Sequence, residues 1–311
     1  MGRRLERGTR GEPVPGLTGL RLSVVASKVS DMATLPNPLP KLAADPSGSS
    51  LGLELPPGRL FDVTAEGPAD EPLLWCADDP AKPGDWAALQ PARRAAGLLP
   101  VLLDGDGEQG SPEEWQLMPD EASYPGDHDA EEVLEELWEE LVPEAADGPA
   151  PEAAEDETIA PYGAEWPGLA PAIAPGADPD TRAAEIADSL ADGGSLVKEP
   201  RLALVPARRS ADIPAAMGWT GPLTYEGDVA RLCAVLRSWE DRFGIRVVAL
   251  AWNQLVVSVA APPTTPVQAE AVAAEHFAFC PDNITQGEHE TLRAYARQEV
   301  LNQPVWSFWW D

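Results

Sequence analysis

The residues of this chain best suited to chemistry sit in one run, AEHFAFCPDN (Ala274–Asn283). On a helix, His276 and Cys280 stand at i and i+4, so both side chains leave from one face. Glu275, Asp282 and Asn283 adjoin them, and His289 follows one helix later. As metal ligands, His276 and Cys280 would hold zinc with two further donors, Cys233 or Asp282 among them. As a catalytic pair, the imidazole would activate Cys280 as a thiolate nucleophile. Only two metal donors have recognisable spacing, which is half a site. The plainer alternative is packing. His276 then lies beneath a sheet and hydrogen-bonds a backbone carbonyl, and Cys280 is a small buried hydrophobe. Asp282 and Asn283, following Pro281, then form a turn that caps backbone amides. We take the packing alternative as the expectation, with no cofactor and no metal.

Binding candidates lie elsewhere in the same region. Trp219, in the Gly-containing loop GWTGPL (Gly218–Leu223), is the tryptophan best placed for an exposed contact. Trp306, Trp309 and Trp310 fall on both faces of one strand, so they form no single aromatic platform and read as core. Arg237 stands four residues before Asp241, and Arg242 sits beside Glu240 and Asp241, so local ion pairing accounts for them. Arg208 and Arg209 have no such neighbour and are the candidate anion-binding pair.

These residues need elements to hold them. A strand over Arg201–Val205 opens the C-terminal unit, and a helix capped by Asp228 runs to Phe243 and stops at Gly244. Ile245–Ala251 and Gln254–Ala260 flank Trp252-Asn253 as a hairpin. Thr265, Pro266 and Gln268 form a capping box that opens a helix ending near Phe279. A further helix is expected from Thr285 to about Gln298. The chain closes on WSFWWD (Trp306–Asp311), a strand with Trp306, Phe308 and Trp310 on one face. The fold class is therefore α+β: an antiparallel sheet over 200–311 with helices packed on one side, plus a smaller α/β lobe over 49–142. In that lobe, 51–55, 59–63 and 72–76 read as strands. A helix from Asp85, stopped at Gly97, and a strand at 99–103 complete a βαβ crossover after 72–76. No phosphate-binding glycine loop follows 72–76. Ser111-Pro112-Glu113-Glu114 is a capping box. After Asp129, a helix carries Val133, Leu134, Leu137, Trp138 and Leu141 on one face and mostly glutamate on the other.

Residues 143–199 read as an acidic, Pro/Ala-rich linker holding a short helix after Asp178-Pro179, with Tyr162, Trp166 and Leu169 docking on a folded lobe. Residues 1–48 read as a disordered arm, with Met32 the expected true start. Charge is concentrated rather than spread: of a net −30, residues 104–199 hold 28 acidic against two basic side chains. Such a surface repels nucleic acid and anionic lipid, so neither is an expected partner. It suits a solvated connector or a protein partner of basic character. Three widely spaced cysteines form no disulfide framework and favour a reducing cytoplasm. The 44% hydrophobic content suffices for a core, and no apolar stretch reaches the roughly 18 residues of a membrane span.

GWTG, LRSWEDRFG (Leu236–Gly244), AEHFAFCPDN and WSFWWD together resemble a bacterial family known as domain-of-unknown-function family 4253, over about the last 110 residues. The resemblance implies a bacterial protein and brings no activity, cofactor or catalytic residue with it. Two functions follow as alternatives. One is a cytoplasmic protein-binding module of immunity-like or regulatory type. The other is an enzyme or metal protein centred on Glu275, His276, Cys280 and Asp282.

Overall fold

The computed structural model describes residues 36–106, 110–142 and 158–311. The proposed start at Met32 and the first part of the linker lie outside them. Residues 36–48 were expected in the disordered arm but are packed. Helix α1 (Pro40–Ala44) and the residue before it place Leu42 and Leu39 in the core, at 2% and 0% exposure. The strand expected at 51–55 does not form. Ser49–Leu51 is a 3-10 turn, flanked by Gly48 and Gly52 in the left-handed region, and it aims Leu51 inward instead.

Strand β1 (Gly58–Phe61) is followed by a small ribbon, β2 (Val63–Thr64) with β3 (Gly67–Pro68), and by β4 (Leu74–Pro80). Two short helices, α2 (Asp85–Leu89) and α3 (Ala92–Ala96), then lead through left-handed Gly97 into β5 (Leu98–Leu103). Next come α4 (Ala130–Leu141) and α5 (Pro179–Ala191), N-capped by the side chains of Asp129 and Asp178. The C-terminal part runs β6 (Arg201–Pro206), α6 (Ile213–Met217), α7 (Val229–Phe243), β7 (Ile245–Leu250), β8 (Gln254–Val259) and α8 (Pro266–Phe279). It ends with α9 (Asp282–Thr285), α10 (Leu292–Tyr295) and β9 (Val305–Trp309).

Among the described residues, seven strands make one sheet, ordered β1-β4-β6-β5-β7-β8-β9, and only the β5–β7 pair is parallel. The crossover from β4 to β5 exists, but β6 lies between them and pairs antiparallel with both. Strands from the expected lobe 49–142 therefore alternate with strands from 200–311, and the two regions share one sheet. β5 is buried along its whole length, as a central strand covered on both faces must be. Its pairing with β7 is confined to Leu102 and Leu103. Earlier in β7, Val247 N–H donates instead to Ser210 Oγ at 2.8 Å.

Helices α6, α7, α8 and α10 cover one face together with α4, and the partly buried Tyr162, Trp166 and Leu169 pack against that core. The other face is covered by α1, α2, α3 and α5. The expected helix from Thr285 to Gln298 is broken. A Cβ at Gly287 would stand 2.2 Å from the Asn283 carbonyl, so the chain turns where only glycine fits. Thr291 then recaps the chain through Ala294 N–H, and α10 runs into a π-turn over Ala296–Val300.

Candidate functional site

Helix α8 positions the candidate residues. Its Thr265/Gln268 capping box fixes the start, and from Val272 to Phe279 every side chain is buried between sheet and helices. Glu275 and His276 are each 0% exposed. Glu275 is fully used: Oε1 accepts from Ala170 N–H and Arg242 Nη1, both at 2.7 Å. Its other oxygen accepts from Arg242 Nη2 at 2.5 Å and Trp239 Nε1 at 2.7 Å. The same guanidinium donates to the Ala170 carbonyl at 2.7 Å. The pair thus grips both backbone polar groups of one residue in the segment that follows α4.

His276 sits in an aromatic cage, with ring centroids of Trp306, Phe308 and Trp239 at 4.6, 4.9 and 5.0 Å. Its Nδ1 lies 3.1 Å from the Tyr295 hydroxyl, so the partner is a phenol and not the backbone carbonyl expected. The other nitrogen, Nε2, is buried without a hydrogen-bond partner among the described residues. Burial pushes the imidazole down to about 3. An imidazole held neutral in the fold but titrating near its ordinary 6.5 when unfolded takes up a proton only on unfolding between those values. Its stabilising contribution is complete above about 6.5 and is lost as pH falls toward 3, at about 1.4 kcal/mol per pH unit. We expect His276→Phe to flatten the stability–pH curve by one proton across that window. Urea midpoints measured between pH 4 and 7 test this; an unchanged slope refutes it.

Cys280 does not join His276. It is the C-cap residue of α8, with φ −154° and ψ 83°, so the chain has already left the helix and the shared face predicted by i, i+4 spacing is lost. Its thiol approaches the Trp309 carbonyl at 3.0 Å and Asn283 Oδ1 at 3.4 Å. Burial pushes this thiol far above its ordinary value, and Cys233 is likewise buried, in α7. Among the described residues, no group of three or more His, Cys, Asp or Glu side chains is arranged to hold a metal. All three cysteines are free and buried. A thiol probe is expected to leave the folded protein unlabelled near pH 7 and to modify three thiols in denaturant; rapid labelling of Cys280 in the native state would reverse this assignment.

The turn after α8 serves the last strand. Asn283 donates from Nδ2 to the Ser307 carbonyl at 2.6 Å and accepts Trp309 N–H at 3.2 Å. Its carboxamide thus pairs with the outer edge of β9 as a neighbouring strand would. Asp282 Oδ2 accepts Asp311 N–H at 3.1 Å, and Asn253 Nδ2 donates to the Trp310 carbonyl. The cap expected of Asp282 and Asn283 is therefore made to the chain terminus, not within the local turn. Exposed edge backbone invites pairing with other chains, and this clasp removes that opportunity. Asn283→Ala is expected to cost about 2–3 kcal/mol by orphaning buried groups, read from urea denaturation.

The binding candidates change character. Trp219 is 3% exposed; its Nε1 donates to the Ala251 carbonyl at 2.9 Å and its ring meets Trp310 edge-on, so it is core and not an exposed contact. Arg209 is paired with Asp241 at 2.5 Å and Glu240 at 3.5 Å. Arg208 stacks over Tyr124 at 6.0 Å. Asp241 is therefore not available to Arg237, which makes a two-pronged pair with Asp212 at 2.5 and 2.9 Å. Arg246 reaches Asp180 at 2.6 Å. Long guanidinium side chains choose tertiary partners over sequence neighbours here, because those partners are partly desolvated and correctly oriented. Tyr295 is the structural residue that spacing alone did not single out; its partners His276 and Asn283 lie 19 and 12 residues away.

The motif residues are thus assembled as a clasp around the C-terminal strand. No curated protein and no solved structure matches the chain. Residues 201–311 match the model of a family described as a domain of unknown function, DUF4253. That stretch begins at β6 and ends on the residues that Asp282 and Asn283 secure, so the similarity to this family applies to the C-terminal part of the chain.

Proposed function

We propose that the protein acts by binding another protein, in a regulatory or immunity-like role, and that this partner is basic. The outer face of α4 carries the proposal. Glu131, Glu132, Glu135, Glu136, Glu139 and Glu140 are all exposed there, while Val133, Leu134, Leu137 and Trp138 anchor the helix to the core. Among the described residues only Glu136 has a cationic partner, Arg231 at 2.8 Å. Carboxylates at i and i+4 repel by a few tenths of a kcal/mol per pair, and a basic surface would relieve that repulsion. Because Trp138 and its neighbours hold the helix rigidly, the charges form a fixed surface and not a loose tail.

The three free, buried cysteines support a reducing, cytoplasmic setting, and the arginine-over-lysine bias supports a bacterial source. Among the described residues no helix is long and apolar enough to cross a membrane. A catalytic centre built on Glu275, His276, Cys280 and Asp282 lacks support, since the first three are fully buried and Asp282 holds the chain terminus.

The test compares the protein with a variant carrying all six α4 glutamates as glutamine. Immobilised wild type is expected to retain a basic partner at low salt and release it as salt rises, whereas the variant retains it poorly at equal fold stability. Failure of the wild type to retain any partner, or equal retention by the variant, overturns the proposal.

A further inference from the structure

Beside the outer edge of β9 lies a cleft of about 340 Å³ lined by Asn283, Glu288, His289, Tyr295, Glu299 and Trp309 among others. Its two kinds of wall differ in what they offer a ligand. Asn283 and Tyr295 are buried and saturated: the carboxamide spans Ser307 and Trp309, and it donates to the Tyr295 hydroxyl at 3.2 Å, which in turn meets His276. They shape the cleft and hold it open without needing a guest.

The remaining groups are more open to solvent. Glu288 is exposed, and the Glu299 side chain is 54% exposed, 3.3 Å from His289 Nε2. Trp309 is half-buried, and its backbone is fixed on both sides by β8 and Asn283. No lysine or arginine is among the lining residues, and His289 is the lining residue that meets a carboxylate there, that of Glu299. A divalent metal would need a tighter set of donors than these residues provide. An organic cation needs less: an aromatic face and one or two carboxylates around a cleft of side-chain size.

We propose that this cleft binds an alkylguanidinium or alkylammonium group, held by Trp309 and the carboxylates of Glu288 and Glu299. None of its lining residues belongs to α4, so the assignment stands apart from the acidic-helix reading. The same chemistry is presented by a free small amine and by an arginine side chain of a protein, and the probes separate the two.

Isothermal titration of the full chain would use agmatine, N-acetyl-argininamide and, as the uncharged control, N-acetyl-citrullinamide. Saturable millimolar binding is expected for a cationic probe, with the citrulline control about tenfold weaker or worse. The Glu288→Gln/Glu299→Gln double variant is expected to weaken the cationic probe about tenfold at an unchanged thermal midpoint, and Trp309→Phe to weaken it less. Binding of agmatine alone supports the site with a free amine as its ligand; binding of the blocked arginine as well supports it with a protein side chain. Equal binding of the citrulline control, no binding of either cation, or indifference to the double carboxamide variant overturns the proposal.

Discussion

Replacing Glu275 with alanine is expected to lower the unfolding free energy by about 3–5 kcal/mol, the cost of removing one member of a buried ion pair. Glu275 is wholly buried and Arg242 is 13% exposed, so water cannot take over the lost interactions. The substitution strands the guanidinium, the Trp239 Nε1–H and the Ala170 N–H together. A second attachment of the same segment, Ile173 N–H to the Arg242 backbone carbonyl, does not pass through Glu275 and is left in place. Arg242→Ala leaves the carboxylate as the unpaired charge and is expected to cost a similar amount. The double variant should lose clearly less than the two single losses combined, because the shared interaction is removed only once. Urea denaturation of the three variants measures this. A Glu275→Ala protein within about 1 kcal/mol of wild type would show that the pair contributes no buried electrostatics.

The second large effect is expected at Trp239, where alanine should cost about 3–5 kcal/mol through the cavity it leaves. Its indole is fully buried and stands with ring centroids 4.8 to 5.7 Å from Phe279, His276, Phe308 and Trp306. The ring neighbours of Trp239 belong to α8 and β9, so closing the cavity would have to move those elements. Trp239→Phe keeps an aromatic ring but loses the hydrogen bond to Glu275, and about 1–3 kcal/mol is expected. The difference between the two variants reports packing, and the phenylalanine loss alone reports the hydrogen bond with a little volume. Near-UV circular dichroism should fall sharply in the alanine variant, since the tryptophan–phenylalanine cluster is broken. Equal losses in the two variants would mean that the cluster adds nothing beyond the single hydrogen bond.

Much of the local structure was legible because its causes are local. Asp228 and Gly244 bracket α7, and Thr265 with Gln268 opens α8, since caps act through groups three or four residues away. The face of α4 that enters the core follows from apolar spacing alone. The burial of His276 and Cys280 followed from their apolar surroundings, but the i, i+4 geometry did not survive, because Cys280 ends the helix. The helix expected from Thr285 failed at Gly287, where a close approach to Asn283 decides the turn. Trp219 looked exposed in its glycine-flanked loop and is core, because Ala251 and Trp310 meet it from distant strands.

By itself the sequence determined many of the segments that become helices or strands, the caps at which several of them start and stop, and where the negative charge gathers. These depend on side-chain entropy, capping and periodicity, which are written into short windows. Only the tertiary structure decided that β6 enters between β4 and β5, that Arg242 serves Glu275 and not its neighbours, and that Asn283 closes the edge of β9. Each of these pairs groups far apart along the chain, and which partner wins depends on orientation and on loss of water at the meeting point. That information exists only once the sheet and its two helical layers have come together.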